Sequence, residues 1–268
     1  FQAEDGIRDS VASRGLGDVY KRQTAYSVIA ICNIVLQVDA SKLTGDAAYI
    51  AHIQGAAYAL RGLVHFDLLR SYGQHFVSGQ GGAGALGVPY VKTYKVAENL
   101  LPSRDTVASN VNDIVADLQT GISMMSSTTF QTRTYMTQKG AYAILARAAL
   151  YAGSVDSSLY AAAGSAAKWV IDNSGQTPVS AAGFKASYYT DGAPNSLFEL
   201  AASGTDNPSI NGIAYIYRGT SYGDVRILTG SGPGEDLYDI FAADAATDVR
   251  FTVNGMIGTA QGLSLIHI

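Results

Sequence analysis

The chain has 268 residues, 47% of them hydrophobic, and a formal net charge of −4 at pH 7. Its lysines and arginines form no cluster, which excludes a nucleic-acid interface built on basic side chains. Cys32 is the only cysteine, so an internal disulfide is excluded, and the low charge with abundant Ala, Gly, Ser and Tyr favours a secreted or envelope protein.

The two ends of the chain differ in character from its middle. Residues 1–23 look like the conceptual translation of a sequencing adapter, and residues 263–268 look like its counterpart at the other end. We exclude both segments from the fold prediction. The natural part is then expected at 24–262, without a native start or stop, and it is long enough for one sizeable core or a core plus a lobe.

The first predicted helix covers about 25–38. Its apolar stretch is too short to cross a bilayer, which takes about 20 residues, and Asn33 and Gln37 interrupt it. A buried helix is therefore expected. Cys32 is predicted to be a small buried hydrophobic side chain and not a catalytic thiol, because no sequence feature lowers its pKa.

The second predicted helix covers about 47–72 and ends before Gly73, a natural C-terminal stop. Apolar residues recur along it at steps of three and four, which predicts one buried face. That face consists of Ile53, Ala57, Leu60, Val64 and Leu68. The charged residues Arg61, Asp67 and Arg70 are expected on the solvated side, with Asp67 and Arg70 at helical pairing distance.

Three further helices are predicted at about 106–125, 137–152 and 158–173. The first of these has a clear apolar stripe, which is the pattern of a helix that packs on a core. The stripe consists of Val107, Val111, Ile114, Leu118 and Ile122. Trp169, the only tryptophan, lies inside the last of the three helices, so it is expected to pack between repeats and not to bind a ligand.

The last two predicted helices and the turn between them form a helix–turn–helix unit of about 34 residues. Thr137 is the expected N-cap of its first helix, which ends before Gly153, and Ser157 or Ser158 can cap its second helix. Small residues that allow close packing are Ala141, Ala148, Ala162 and Ala166. The spacing is typical of a tetratricopeptide-like repeat, and the first two predicted helices are candidates for a looser second copy.

Beyond residue 180 the helical periodicity fades, and Gly, Ser, Asn, Asp and Thr dominate. Short strands are predicted only at 196–201 and 212–218. This polar segment carries the tyrosines Tyr188, Tyr189, Tyr215, Tyr217 and Tyr222. Aromatic faces among polar side chains suit carbohydrate recognition, because a ring face packs on a sugar ring while polar groups bind its hydroxyls.

These observations predict an all-α fold, a tetratricopeptide-like helical superhelix with an appended loop-rich lobe. The helical region is expected at 24–179 and the lobe at 180–262.

Five short motifs occur in order along the chain. They are Gln54–Gly73 with Val88-Pro89, Pro102–Val107, Ala141–Tyr151, Leu197–Leu200 and Asp248–Arg250. Together they resemble the SusD/RagB family, whose members carry a Gly-Glu-Ala-x-x-x-Arg-Ala helix that runs into a Tyr-Phe-Asp-Leu-x-x-x-Tyr-Gly segment and a Val-Pro pair. Arg61 matches the family arginine of that helix.

The resemblance implies a non-catalytic glycan-binding lipoprotein on the surface of the outer membrane. It would capture an oligosaccharide or polysaccharide and deliver it to a SusC-like TonB-dependent transporter, with no cofactor or metal. The helical face would contact the transporter, and the loop-rich lobe would face the glycan. A signal peptide and a lipid anchor are expected outside this sequence.

The resemblance also indicates where the glycan would bind. Part of the family's glycan wall follows the short strand at Leu197–Leu200, which corresponds to 206–222 in this chain. The predicted stacking residues are Tyr215, Tyr217 and Tyr222, with Asn211 and Arg218 as hydrogen-bonding partners.

Two other classes of function stay open at this point. A tetratricopeptide-type scaffold would bind a peptide or protein in its concave surface. A glycoside hydrolase would need two facing carboxylates, and the candidates are Glu199, Glu235, Asp236 and Asp239. His52, His65 and His75 lack the spacing of metal ligands, so they are expected to be hydrogen-bonded or exposed histidines.

Overall fold

The computed structural model describes residues 12–74, 81–96, 101–187 and 190–201, with residues 205 and 247, and only the backbone at 12–18 and 185. The chain divides into two compact units, Phe1–Gly175 and Gln176–Ile268. The α-helices of the described part are α1 (Ala12–Gln37), α2 (Ala47–Tyr72), α3 (Val107–Met124), α4 (Gln138–Ala152), α5 (Leu159–Asn173) and the short α6 (Phe184–Ser187), and a 3-10 helix covers Ala40–Lys42. The predicted all-α class is confirmed.

Side-chain caps explain where three of the helices begin. The side chains of Asp46, Thr106 and Thr137 accept hydrogen bonds from backbone N–H groups in the first turns of α2, α3 and α4. Helix α2 is capped at its C-terminal end by Gly73, and α4 by Gly153. The predicted bounds of α2, α3, α4 and α5 are confirmed to within one residue.

The predicted cap of α5 is wrong in its chemistry. Ser158 occupies the N-cap position, but its side chain makes no capping hydrogen bond. The Asp156 carboxylate accepts hydrogen bonds from the backbone N–H and the hydroxyl of Ser158 instead, at 3.0 and 2.7 Å. The turn before α5 is therefore closed by an aspartate and not by a serine.

Helix α1 is longer and less buried than predicted. It begins at Ala12, inside the segment that looks like translated adapter, and runs on to Gln37. Ile29 and Cys32 are buried, as expected, but Ile31 is 62% exposed and Ile34 is 44% exposed. The prediction of a buried helix is therefore correct for only one face, because α1 packs along α2 and leaves Ile31 and Ile34 exposed.

Helix α2 buries a different face from the predicted one. Ala57 and Leu68 are buried, but Leu60 and Val64 are only partly covered and Ile53 is 41% exposed. The residues that are buried along α2 include small and polar ones, and they are His52, Gly55, Ala57, Ala59, Arg61, Gly62, His65, Phe66, Leu68 and Leu69. The reason is that α1 and α3 both pack against α2, so apolar periodicity does not identify a single inward face.

Glycines bring α2 and α3 into close contact. A Cβ atom on Gly55 would lie 2.7 Å from the backbone oxygen of Gly121, and one on Gly121 would lie 2.5 Å from the backbone oxygen of Gly55. Gly62 lies against Leu118 on the same side, where an added Cβ would meet its Cγ at 3.1 Å. The predicted stripe of α3 from Val107 to Ile122 is buried in full, because it faces this contact.

The helices of the first unit pack in chain order, and the predicted tetratricopeptide-like superhelix is confirmed. The most extensive contacts are α2 with α3 and α4 with α5, and α2 also touches α4. Ala141, Ala148 and Ala166 are buried between the helices, as predicted from their small size. None of the helices in the described part is both long and apolar enough to cross a membrane.

The described part of the second unit is mainly irregular backbone around α6. The strand predicted at 196–201 is wrong, because the backbone there is irregular and follows the turns at 191–195. Both carboxylate oxygens of Glu199 accept a hydrogen bond from the backbone N–H of Gly192 at 3.0 Å, which closes the turn. The strand predicted at 212–218 lies outside the described residues.

Candidate functional site

The residues predicted to contact a glycan all lie outside the part of the chain that the structure describes. They are Tyr215, Tyr217, Tyr222, Asn211 and Arg218. Tyr188, Tyr189, His75 and the carboxylates Glu235, Asp236 and Asp239 also lie outside it. These assignments stay predictions.

The family-like motifs converge on a buried ion pair in the helical unit. Arg61 of α2 is only 4% exposed, so its predicted position on a solvated face is wrong. Its Nε and Nη2 atoms each donate a hydrogen bond of 2.7 Å to a different carboxylate oxygen of Asp117 on α3. This bidentate geometry is the strongest form of the arginine–carboxylate pair.

Three more side chains complete this cluster, which we name the Arg61 network (Asn33, Arg61, His65, Tyr90 and Asp117). Arg61 Nη1 donates to Asn33 Oδ1 on α1 at 2.8 Å. The hydroxyl of Tyr90 donates to Asp117 Oδ2 at 2.6 Å, and the Tyr90 ring stacks on His65 with centroids 3.8 Å apart. The network thus ties α1, α2 and α3 to the segment around residue 90.

The hydrogen bonds of His65 fix its tautomer. Nδ1 lies 2.9 Å from the carbonyl oxygen of Arg61, which can only accept, so Nδ1 carries the proton. Nε2 accepts a hydrogen bond from the backbone N–H of Val91 at 3.1 Å. The expectation of a hydrogen-bonded histidine is confirmed for His65.

Burial controls the protonation of the network. Burial lowers the pKa of His65 from 6.5 to about 4, so the imidazole is neutral at pH 7. Burial and the nearby Asp117 charge raise the pKa of Tyr90. Burial alone would lower the pKa of Arg61, but its bonds to Asp117 outweigh that effect and raise it.

The Val88-Pro89 pair is held by residues of the next motif and of the helix that the motif opens. Asn110 Oδ1 accepts a hydrogen bond from the backbone N–H of Val88 at 2.7 Å, and Nδ2 donates to the Val88 carbonyl at 2.9 Å. Gly87 is required beside them, because an added Cβ would lie 2.1 Å from Asn110 Oδ1. The Asp105 carboxylate accepts from the backbone N–H of Tyr90 at 2.8 Å.

Arg104 fastens the same segment to the end of α2. Its Nε donates to the carbonyl of Gly87 at 2.6 Å, and its Nη2 donates to the carbonyls of Tyr72 and Leu86 at 3.2 and 3.0 Å. Arg104, like Arg61 and Asn110, is therefore bound to other parts of the helical unit and helps to position them.

Sequence reasoning identified Arg61 through the motif but missed its partners. Asn33 and Asp117 are isolated polar residues in helices whose neighbours on the same face are apolar, and that pattern is a signal of a buried polar contact. Tyr90 follows the Val-Pro pair directly, but nothing in the sequence aligns it with α3. The pairing depends on distances that only the fold sets.

Two other residues considered in the sequence analysis, Cys32 and Trp169, pack inside the helical unit. Cys32 is buried, and burial raises its pKa to about 11, which removes thiolate reactivity near neutral pH. Trp169 stacks on Tyr142 with centroids 3.9 Å apart, so it packs within the α4–α5 pair and not between repeats. A groove of about 520 Å³ beside this stacked pair runs between α3, α4 and α5.

The described residues contain no group of three or more His, Cys, Asp and Glu side chains placed to hold a metal ion. His52 is buried, and its Nε2 lies 3.1 Å from the carbonyl oxygen of Met136. Its Nδ1 is buried without a hydrogen-bonding partner, so the expectation of a satisfied or exposed histidine is only half correct at this position.

Solved structures with the same fold come from Bacteroides species. A SusD superfamily protein from Bacteroides thetaiotaomicron shares 26% sequence identity at a TM-score of 0.65, over 74% of this chain and 43% of its own. A sugar-binding candidate from Bacteroides vulgatus gives a TM-score of 0.73 at 24% identity, over 92% of this chain and 53% of its own. A SusD-like carbohydrate binding protein from Bacteroides vulgatus gives a TM-score of 0.61 at 20% sequence identity, over 74% of this chain and 39% of its own.

The chain spans about half the length of these relatives or less. No curated protein matches it in sequence. A family of SusD-like proteins, described as starch-binding and associating with the outer membrane, matches residues 6–150, which is more than half of the chain. The chain belongs to this SusD-like family.

Proposed function

We propose that this protein captures a glycan without cleaving it and delivers it to a SusC-like TonB-dependent transporter of the outer membrane. The observation that carries the proposal is the family match over residues 6–150, whose description is starch binding in association with the outer membrane. Three of the five motifs that resemble this family lie in the packed helical unit, where hydrogen bonds connect two of them, and this supports the match.

The glycan would be held by the loop-rich segment, through the faces of Tyr215, Tyr217 and Tyr222. Asn211 and Arg218 would bind sugar hydroxyls. Tyrosine suits this role because it offers a large rigid face and a polar tip at a low cost in side-chain entropy. The helical unit would serve as the rigid support and would present its outer face to the transporter.

A binding role agrees with the use of carboxylates in the described part of the chain. Asp117 is bound by Arg61 and Tyr90, Asp105 caps a backbone N–H, and Glu199 closes a turn through both of its oxygens. A glycoside hydrolase needs two carboxyl groups that face each other across an open site. These three groups are committed to structural hydrogen bonds instead.

The experiment compares the wild-type chain with Tyr217→Ala and Tyr222→Ala on a glycan array, followed by titration of the best ligand. We expect each tyrosine substitution to weaken binding by roughly 3- to 10-fold, since a stacked ring contributes about 0.5–1.5 kcal/mol beyond its burial. Tyr160→Ala, on the surface of α5, is the control and is expected to bind as the wild type does. Unchanged affinity in both tyrosine variants would refute the site assignment.

A further inference from the structure

Three aromatic rings form a continuous row on the surface of the helical unit, away from the loop-rich segment in sequence. The ring centroids of Tyr49 and Phe130 are 4.5 Å apart, and those of Phe130 and Tyr135 are 5.3 Å apart. Tyr49 is 46% exposed and Tyr135 is 55% exposed, with Phe130 half-buried between them. We name these three residues the aromatic row.

The aromatic row is held in place by contacts with α2. The Phe130 ring packs on the buried His52 ring with centroids 4.9 Å apart, and His52 Nε2 lies within hydrogen-bonding distance of the Met136 carbonyl. Tyr49 sits in the first turn of α2, where its backbone N–H donates to the capping carboxylate of Asp46. One end of the row, Tyr49, and its middle ring, Phe130, are therefore anchored to α2.

The loop that carries Phe130 and Tyr135 is held in a strained conformation. Phe130 has a φ of +49°, in the left-handed region that bulky side chains rarely adopt. The side chain of Gln131 donates to the carbonyls of Ser127 and Thr129 at 2.8 and 3.2 Å, and these bonds keep the loop closed. Strain of this kind persists where the surroundings fix a residue for a purpose, and here it directs a phenylalanine ring into the row.

The loop that carries Phe130 and Tyr135 is rich in hydroxyls and poor in charge. Residues 126–137 contain seven serines and threonines and one charged residue, Arg133. In the described part of the chain the hydroxyls of Tyr49 and Tyr135 make no hydrogen bond with protein groups, so both are available at the two ends of the row. Neutral hydroxyl groups at the edge of tilted aromatic faces are complementary to a neutral sugar.

We propose that the aromatic row is a second glycan-binding platform, which takes a stretch of neutral oligosaccharide independently of the loop-rich segment. This inference rests on the proposed glycan-binding function and adds a site to it. The sugar ring would pack on Tyr135 and Phe130, and its hydroxyls would bind the phenol groups of Tyr49 and Tyr135. A charged protein partner suits the surface less well, because the loop at 126–137 offers it a single charge, Arg133.

The test uses the full chain with two neutral glucans, maltoheptaose and cellohexaose. Titrations compare the wild type with Tyr135→Ala, Tyr135→Phe and the control Tyr160→Ala. We expect Tyr135→Ala to weaken the binding of at least one glucan by roughly 3- to 10-fold. Tyr135→Phe keeps the stacking ring and is expected to lose less affinity, and the control is expected to change by less than twofold.

A direct readout separates contact from indirect effects. Fluorotyrosine placed at position 135, or at position 160 in a second sample, reports the ligand through its fluorine NMR shift. We expect the signal at Tyr135 to move on addition of the glucan and the signal at Tyr160 to stay. Thermal unfolding of Tyr135→Ala checks that the variant is folded.

The possible outcomes distinguish this inference from the proposed function. One outcome is that the glucan binds and Tyr217→Ala weakens its binding, while Tyr135→Ala binds as the wild type does and the fluorine signal at position 135 does not move. In that case the second platform is wrong and the proposed function stands. If a folded wild type binds other array sugars but neither glucan, the platform for a neutral glucan is overturned as well. If the wild type binds no sugar at all, both proposals fail.

Discussion

Arg61 connects four parts of the chain through Asn33 on α1, Asp117 on α3 and the carbonyl of Lys92, with its own backbone in α2. The guanidinium is buried, so each of these bonds replaces a bond to water. Removal of one partner of a buried ion pair leaves the other charge without compensation. The Arg61 network is therefore expected to dominate the stability of the helical unit.

Arg61→Met is predicted to lower the free energy of unfolding by about 3–5 kcal/mol, because Asp117 stays buried without its cation. The matched control is Arg70→Met in the same helix, which breaks the exposed pair with Asp67 and is expected to cost about 1 kcal/mol or less. Urea denaturation monitored by circular dichroism measures both. Equal losses in the two variants would contradict the structural role of Arg61.

The buried, neutral His65 is expected to make the stability of the protein depend on pH. Its pKa is lowered to about 4 in the folded state, while the unfolded chain titrates near 6.5, so the unfolded state binds more protons below pH 6.5. The stabilisation of the folded state by neutral His65 is fully present above pH 6.5. As the pH falls towards 4, the free energy of unfolding decreases by up to about 3 kcal/mol for this reason.

Denaturation of the wild type and His65→Gln at a series of pH values from 7.5 to 4.5 measures this effect. The variant cannot take up that proton, so we expect its stability to fall less than that of the wild type as the pH drops from 6.5 to 4.5. Parallel pH profiles for the two proteins would rule out His65 as the cause.

At the scale of the elements, the close contact between α2 and α3 depends on two glycines. Gly55→Ala and Gly121→Ala would each push a methyl group against the opposing backbone, where the space is under 3.0 Å. We predict a loss of about 1–3 kcal/mol for each, as is usual for overpacked cores. We expect the ends of the helices and the burial of α3 to change before the rest of the unit does.

Gly164→Ala in α5 provides the control for these glycine substitutions. It has open space around the added methyl group, so the helical preference of alanine is expected to stabilise the protein by about 0.5–1 kcal/mol. A higher unfolding temperature for Gly164→Ala and lower ones for the two α2–α3 glycine variants would support the packing argument. A gain in stability at Gly55 or Gly121 would show that the two helices are farther apart than described.

The sequence predicts elements well where local chemistry decides. Asp46, Thr106 and Thr137 cap helices through bonds within four residues, so the starts of α2, α3 and α4 can be located without the fold. The orientation of α2 could not be predicted, because two neighbours cover it and its inward residues include Arg61 and His65. Its apolar spacing pointed to Ile53, which is exposed.

At the scale of the whole molecule, the family-like motifs that lie before residue 152 belong to the helical unit and build its core. Arg61, Gly87, Arg104 and Asn110 bind other parts of the chain, so they specify the fold and carry no information about the ligand. The predicted glycan contacts lie in a segment whose tyrosines could be found by composition alone. Which face of each ring is open depends on tertiary structure that a sequence pattern does not encode.

A protein with the proposed function binds a glycan and leaves it intact. The most direct measurement is a glycan-array screen of the full chain, with chromatography of each bound sugar after prolonged incubation. We predict that at least one neutral oligosaccharide binds and is recovered at its original length. Recovery of shortened sugars, or the absence of any binding by a folded sample, would contradict the proposed function.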